Sequence, residues 1–210
     1  ALKAARVAGS TNPGLKDAIR KNINFLKGPA HSDYGKFNYS NGKVGPNMTG
    51  PAVLCLQLLG QSTCRQAQGG LSYIADKRLA DYKEVEQNPA KWSDVGGKKL
   101  YGWYYDTQAV FNNQNKDKAT WKSWRATFEK VLIRSQNRAG YWETKGHIGG
   151  ADIPGRVLST CFCALQLEVY YRYLPTFDIK KMDAVSAQDG ANVENIGAGD
   201  GGKGLVIEVQ

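Results

Sequence analysis

The sequence predicts an all-α protein of about three helical hairpins, and three observations carry that prediction. Apolar residues recur every three to four positions in the long polar segments, the spacing of one helix face. Segments that are apolar nearly all round alternate with them, as expected of helices buried on most sides. Each buried segment carries a threonine near its start: Thr49, Thr107 and Thr160, at offsets of 58 and 53 residues, with Leu54 matching Leu165 and Leu56 matching Leu167. Repeats of this period are the mark of stacked helical hairpins.

Asn12 and Pro13 open the first predicted helix, the asparagine as cap and the proline in the first turn. Leu15, Ile19, Ile23 and Leu26 then keep helical spacing until Gly28 and Pro29 stop the run. After a glycine-rich loop with Phe37 and Tyr39, segment 51–59 is apolar on nearly every side and reads as an inner helix. A third helix is expected over 63–76, interrupted at Gly69 and Gly70, with a polar loop beyond it through Pro89 and Gly96. Trp103, Tyr104 and Tyr105 read as the lead into a short helix over 107–115. Trp121, Trp124, Phe128, Val131 and Leu132 mark a long amphipathic helix, with Lys122, Arg125, Glu129 and Lys130 on its wet side and Gly140 as its end. The last inner helix is expected over 157–173, stopped by Pro175.

The length allows one sizeable domain, and a 41% hydrophobic, 10% aromatic composition supplies a core. The longest apolar stretch, 157–174, carries Glu168 and Arg172 and falls short of the roughly 20 apolar residues of a membrane span, so no span is expected. Without a charged-then-apolar leader, the sequence reads as a trimmed or processed chain. Residues 1–177 hold 25 basic and 13 acidic side chains, whereas 178–210 hold 3 and 6. The division is therefore a basic helical domain, 1–177, and an extended or disordered acidic tail, 178–210, whose end, Leu205 to Val209, reads as a strand able to add to a partner's sheet edge. The lysines and arginines are scattered as on solvated helix faces and no nucleic-acid motif accompanies them, which argues against a nucleic-acid partner.

Cys161 and Cys163, two apart in a helix, point to different faces and cannot share a metal. Cys55 and Cys64 either bridge across a tight hairpin or stay as packed thiols. With His31 and His147 as the histidines of the chain, no zinc set assembles, and no metal or cofactor is expected. The tripeptides at Asn38 and Asn47 read as glycosylation sequons, which would suit an exported chain.

Gln136, Gly140 and Trp142 fit the pattern QxxxGxW at the end of an amphipathic helix, and GWYYDTQAVF and GRVLSTCFCALQLEVYYRYLP flank it. Over about residues 14–177 the chain resembles the squalene-cyclase and prenyltransferase repeat proteins of planctomycete-type bacteria. The resemblance implies an αα-toroid, an outer ring of helices around an inner ring, here present only in part. It also implies that Gln136 and Trp142 brace the junction between helix and loop, the amide satisfying helix-end groups while the indole covers it. The family's chemistry does not follow. The DxDD acid motif of the cyclases, the Asp, Cys and His zinc set of the prenyltransferases and the thioester GCGEQ of complement-type toroids are all missing.

Asp106, beside Trp103, Tyr104 and Tyr105, is the candidate catalytic group: a carboxyl among aromatics acts as an acid if its pKa is raised, or else caps the helix that starts at Thr107. The three aromatics are candidate binding residues, as ring faces for a cation or as plain core. Arg156 either binds an anion with His147 or pairs with Asp152. The expected function is a non-catalytic scaffolding or binding module. Three hairpins leave open apolar flanks that a protein partner or further copies of the chain would cover. The competing expectations are part of an isoprenoid-processing enzyme acting on a small apolar ligand, and a polyanion-binding module.

Overall fold

The computed structural model describes residues 1–28, 32–33, 35–40, 43–144 and 155–171. Helices dominate them: α1 (Leu2–Val7), α2 (Leu15–Lys27), α3 (Thr49–Leu58), α4 (Arg65–Tyr73), α5 (Leu79–Gln87), α6 (Gly97–Asn112), α7 (Lys118–Ser135) and α8 (Gly155–Leu167). One short antiparallel pair, β1 (Asn38–Ser40) with β2 (Lys43–Val44), precedes α3. The all-α expectation holds. The tail 178–210, His31, His147 and Asp152 lie outside the described residues.

Several elements differ from expectation, among them the start of α2, whose cap position is Gly14 and not Asn12, and the end of α8 at Leu167. The helix expected to break at Gly69 and Gly70 runs on from Arg65 to Gln87, through one π turn at Ile74–Arg78. Gly70 is there for packing: a Cβ on it would lie 2.4 Å from Val53 Cγ2, so the glycine lets α4 press against α3. The short helix expected from Thr107 is the second half of α6, which starts ten residues earlier at Gly97. Asp106 therefore sits inside a helix and caps nothing. The helix α1, which has no periodic apolar stripe, is not legible in the sequence at all.

In space α6 lies between α3 and α8, forming one row, while α4 packs on α3 and α5 packs on α7 behind it. Tyr82, Trp103, Trp124, Phe128 and Leu132, each at most 0% exposed, fill the space between. Tyr82 stacks on Trp103 with centroids 3.8 Å apart and meets Trp124 edge-on at 5.4 Å. Such pairs add roughly 0.5–1.5 kcal/mol each beyond burial itself. A smaller cluster of Ile19, Ile23 and Leu59 seats α2 on the end of α3.

Two of the three threonines that mark the repeat, Thr49 and Thr160, do similar work. Thr49 Oγ1 accepts from the Phe37 N–H at 3.4 Å, and Thr160 Oγ1 accepts from the Trp142 N–H at 3.1 Å. In both cases a buried aromatic residue of the preceding loop is pinned to a helix, at the first residue of α3 and inside α8. Thr107 Oγ1 instead accepts from the Trp124 indole N–H at 3.0 Å, tying α6 to α7.

The segment from Gln136 to Trp142 braces the end of α7, but with the two roles exchanged. The Trp142 indole N–H donates to Leu132 O at 2.8 Å, a carbonyl left over where the Gln136 N–H bonds to Ile133 O instead. The Gln136 amide reaches across the loop to Gly140 O at 3.0 Å, and Gly140 has φ +90°. Replacing Trp142 by Phe keeps most of the burial and leaves Leu132 O unpaired. The expected cost is about 1–2 kcal/mol in denaturant unfolding, and a change within error would mean that the indole acts by volume alone.

Candidate functional site

Helix α6 divides its aromatic residues between two sides. Trp103 faces the core and is fully buried, whereas Tyr101, Tyr104 and Tyr105 are half-buried on the other side of the same helix. Spacings of three and four place these tyrosines on one stripe. Phe162 of α8 completes the group: Tyr101 and Tyr104 approach it at 6.0 and 5.7 Å, and Tyr105 lies 4.9 Å from Tyr101 and 4.8 Å from Tyr104. The exposed Cys55 of α3 adjoins this surface, near enough to help raise Tyr101 and Tyr105. Burial is the main cause for both phenols, and it pushes Tyr105 up to about 12. The phenols are neutral at physiological pH, and the row α3–α6–α8 thus presents an open, uncharged aromatic face. Of the three candidate binding residues, Tyr104 and Tyr105 lie on this face. Trp103 does not.

Beneath that face lies a buried ionic node. Asp106 is 0% exposed, and its Oδ2 accepts from Arg78 Nε at 2.8 Å. The same guanidinium donates to Asp81 Oδ2 at 2.9 Å and to Asn47 Oδ1 at 3.1 Å. The node joins the start of α3, the π turn, α5 and α6. The π turn delivers Arg78 inward, and Gly102 leaves room for it, since a Cβ there would lie 2.6 Å from Arg78 Nη2. Asp106 Oδ1 makes no full hydrogen bond, although the Gly50 N–H stands close enough to draw its pKa down slightly.

Burial raises the Asp106 carboxyl to about 6, against the pull of Arg78. For Arg78, burial pushes the pKa down, and Asp106 with Asp81 outweighs it, leaving the guanidinium above its usual value. The two partners do not mirror each other because Arg78 draws on two carboxylates, while Asp106 has one cation and bears a complete loss of water. Arg78 stays charged at all working pH values. Asp106 changes charge in the mildly acidic range.

The raised pKa expected of an acid among aromatics is therefore present, but the carboxyl is enclosed and does not meet the open face. Tyr82, also fully buried, donates its hydroxyl to Gln166 Oε1 of α8, and burial holds its pKa well above the usual value. A cleft of about 510 Å³ opens elsewhere, between α4 and the α6–α7 turn, over a floor of Leu71 and Val110 with Ser72, Asn113 and Lys116 at its rim. None of the residues singled out in the sequence lines it, so the void and the candidate residues are separate features.

The other candidates are placed as follows. Arg156 is exposed, lies 4.8 Å over the Tyr141 ring and pairs with Glu143 at 3.5 Å; its two expected partners, His147 and Asp152, lie outside the described residues. Cys55, Cys64, Cys161 and Cys163 are free thiols, with Cys161 exposed and Cys163 buried on opposite sides of α8. Asn47 is held by Arg78, which makes its sequon a poor site for a glycan. Among the described residues no group of three His, Cys, Asp or Glu could hold a metal ion, and no helix is long and apolar enough to cross a membrane.

Tyr101, Phe162 and Arg78 were not singled out in the sequence. Arg78 had a signal: it occupies the stripe of Ile74, Tyr82 and Val85, where a basic residue among apolar ones must find a buried partner. Comparison with protein-family models, curated proteins and solved structures gives no match to this chain.

Proposed function

We propose that this chain is a non-catalytic helical-repeat scaffolding or binding module. Its inner row α3–α6–α8 is part of an αα-toroid, and it assembles with further toroid repeats or with another subunit. The observation that carries this reading is that, apart from Ile133 on α7 at 62%, the exposed large apolar side chains of the described residues lie towards the two ends of the row in chain order. Phe25 and Tyr39, 55% and 76% exposed, belong to the segments that precede α3, the first helix of the row. Val157, Leu165 and Tyr171, at 52%, 44% and 63%, lie on and just after α8, the last one. Side chains of this kind at the ends of a repeat array are what neighbouring units cover.

A catalytic role for Asp106 finds less support. Its carboxyl is enclosed by Arg78, Gly50 and α6, and a substrate on the tyrosine face would not touch it. Replacing Asp106 by Asn should leave any measured turnover unchanged except through stability.

The reading is tested with the chain alone, by a hydrophobic dye together with light scattering after size exclusion. Dye binding at the ends or self-association is expected. A compact monomer that binds no dye would rule the module out.

A further inference from the structure

The row has an internal rule that identifies its next contact. Counted from its own threonine, α3 meets α6 through the residues one and eight positions on. These are Gly50, against Asp106, and Gln57, whose Nε2 donates to Ala109 O at 2.9 Å. Helix α6 meets α8 and its continuation through the residues three before and four after Thr107: Tyr104 on Phe162 and Phe111 on Tyr170. At about 100° per residue, these four positions fall within an arc of about 60°. On α8 and its continuation the same arc holds Val157, Cys161 and Glu168, at three before, one after and eight after Thr160, with Leu165, five after, about 40° past its edge, and all four are exposed.

The receiving side follows a similar rule. Helix α6 receives α3 at Asp106 and Ala109, and α8 receives α6 at Phe162 and Tyr170. The corresponding arc on α3 holds Pro51, half-buried, and Cys55, exposed. One chain thus carries both an unused donating stripe, on α8, and an unused receiving stripe, on α3.

We infer that the Val157–Cys161–Leu165 stripe of α8 packs against the Pro51–Cys55 stripe of α3 in a second copy of this chain, continuing the row head to tail. The inference rests on the assembly reading above and names its partner. Charge does not oppose it locally. Helix α3 has no charged side chain, α8 has Arg156 alone, and the exposed Glu168 follows it at the position that matches Gln57, so no like charges meet across the contact. Unlike surfaces meeting in this way make a heterologous contact, which closes into a ring or runs on, depending on the angle.

Sedimentation of the full chain over a range of concentrations is the test. Wild type should associate, and Leu165→Glu or Cys55→Glu should each weaken association by about 100-fold or more, as expected for an apolar anchor at a contact. Val157→Glu, also on exposed α8, serves as a second variant, and circular dichroism checks that each keeps its helices. Mixing Leu165→Glu with Cys55→Glu should restore pairing, because each retains the end that the other lacks. Failure of the mixture to pair, or association that survives both substitutions, overturns the head-to-tail contact. A wild-type monomer that binds dye overturns the second copy as partner and leaves the module reading standing. A monomer that binds none overturns both.

Discussion

Gly50→Ala is expected to lower the stability of the protein by about 3 kcal/mol, the upper range for overpacking a well-filled site. The added Cβ would lie 2.4 Å from Asp106 Oδ1, 2.6 Å from Asp106 N and 2.9 Å from Tyr105 C. Two of those three atoms are backbone and cannot rotate away, so α3 and α6 must separate. Helix propensity works in the opposite direction, favouring alanine over glycine by about 1 kcal/mol inside a helix. The observed loss is what remains after that gain. Gly35→Ala is the control: its Cβ would meet Gly69 O at an ordinary 3.7 Å, and a change within about 0.5 kcal/mol is expected. Guanidinium unfolding of both variants decides the matter. If Gly50→Ala is as stable as wild type, the tight crossing of α3 and α6 is wrong.

That crossing also explains which parts of the protein can be read from sequence. Helix α7 is legible because Trp124, Phe128, Val131 and Leu132 repeat at helical spacing on one buried face, with Asp117 capping the Thr120 N–H at 2.9 Å. The inner helix α3 is legible because it is apolar all round. Glycines are where the reading fails. Gly69 and Gly70 read as a break, yet Gly70 is required by contact with Val53, and nothing local distinguishes a glycine that ends a helix from one that admits a neighbour. Gly96 and Gly97 read as loop, although α6 starts there and its first half is held by burial of Leu100 and Trp103. The tyrosines at 104 and 105 are legible as a candidate site, but their division from Trp103 depends on the helical phase of α6, which a start at Thr107 hides. Asp106 and Arg78 stand 28 residues apart in sequence, and only the packing of the π turn on α6 joins them.

Arg78→Leu is expected to cost about 3–5 kcal/mol at pH 7.5, since it leaves the Asp106 carboxylate buried with no counter-charge. The loss should be much smaller at pH 5, because Asp106 can then take up a proton. In the wild type its folded pKa of about 6 exceeds the ordinary 3.8. The contribution of this group to stability is therefore complete below about 3.8 and is lost as the pH rises through about 6. At about 1.4 kcal/mol per pKa unit, that difference is on the order of 3 kcal/mol between pH 4 and pH 7. Removing Arg78 takes away the cation that lowers the Asp106 pKa, so the decline continues to higher pH and grows. Asp81 faces the same guanidinium and loses its ion pair with Arg78 as well, which adds to the penalty in the variant. Asp106→Asn removes the titrating group and should flatten the profile between pH 4 and pH 6. Subtracting that profile from the wild type isolates Asp106 from every other group that titrates in the window, the two histidines included. Unfolding curves for the three proteins across this range test the node. Equal losses for Arg78→Leu at pH 5 and pH 7.5 would mean that Arg78 stabilises the fold by packing and not by holding a buried charge.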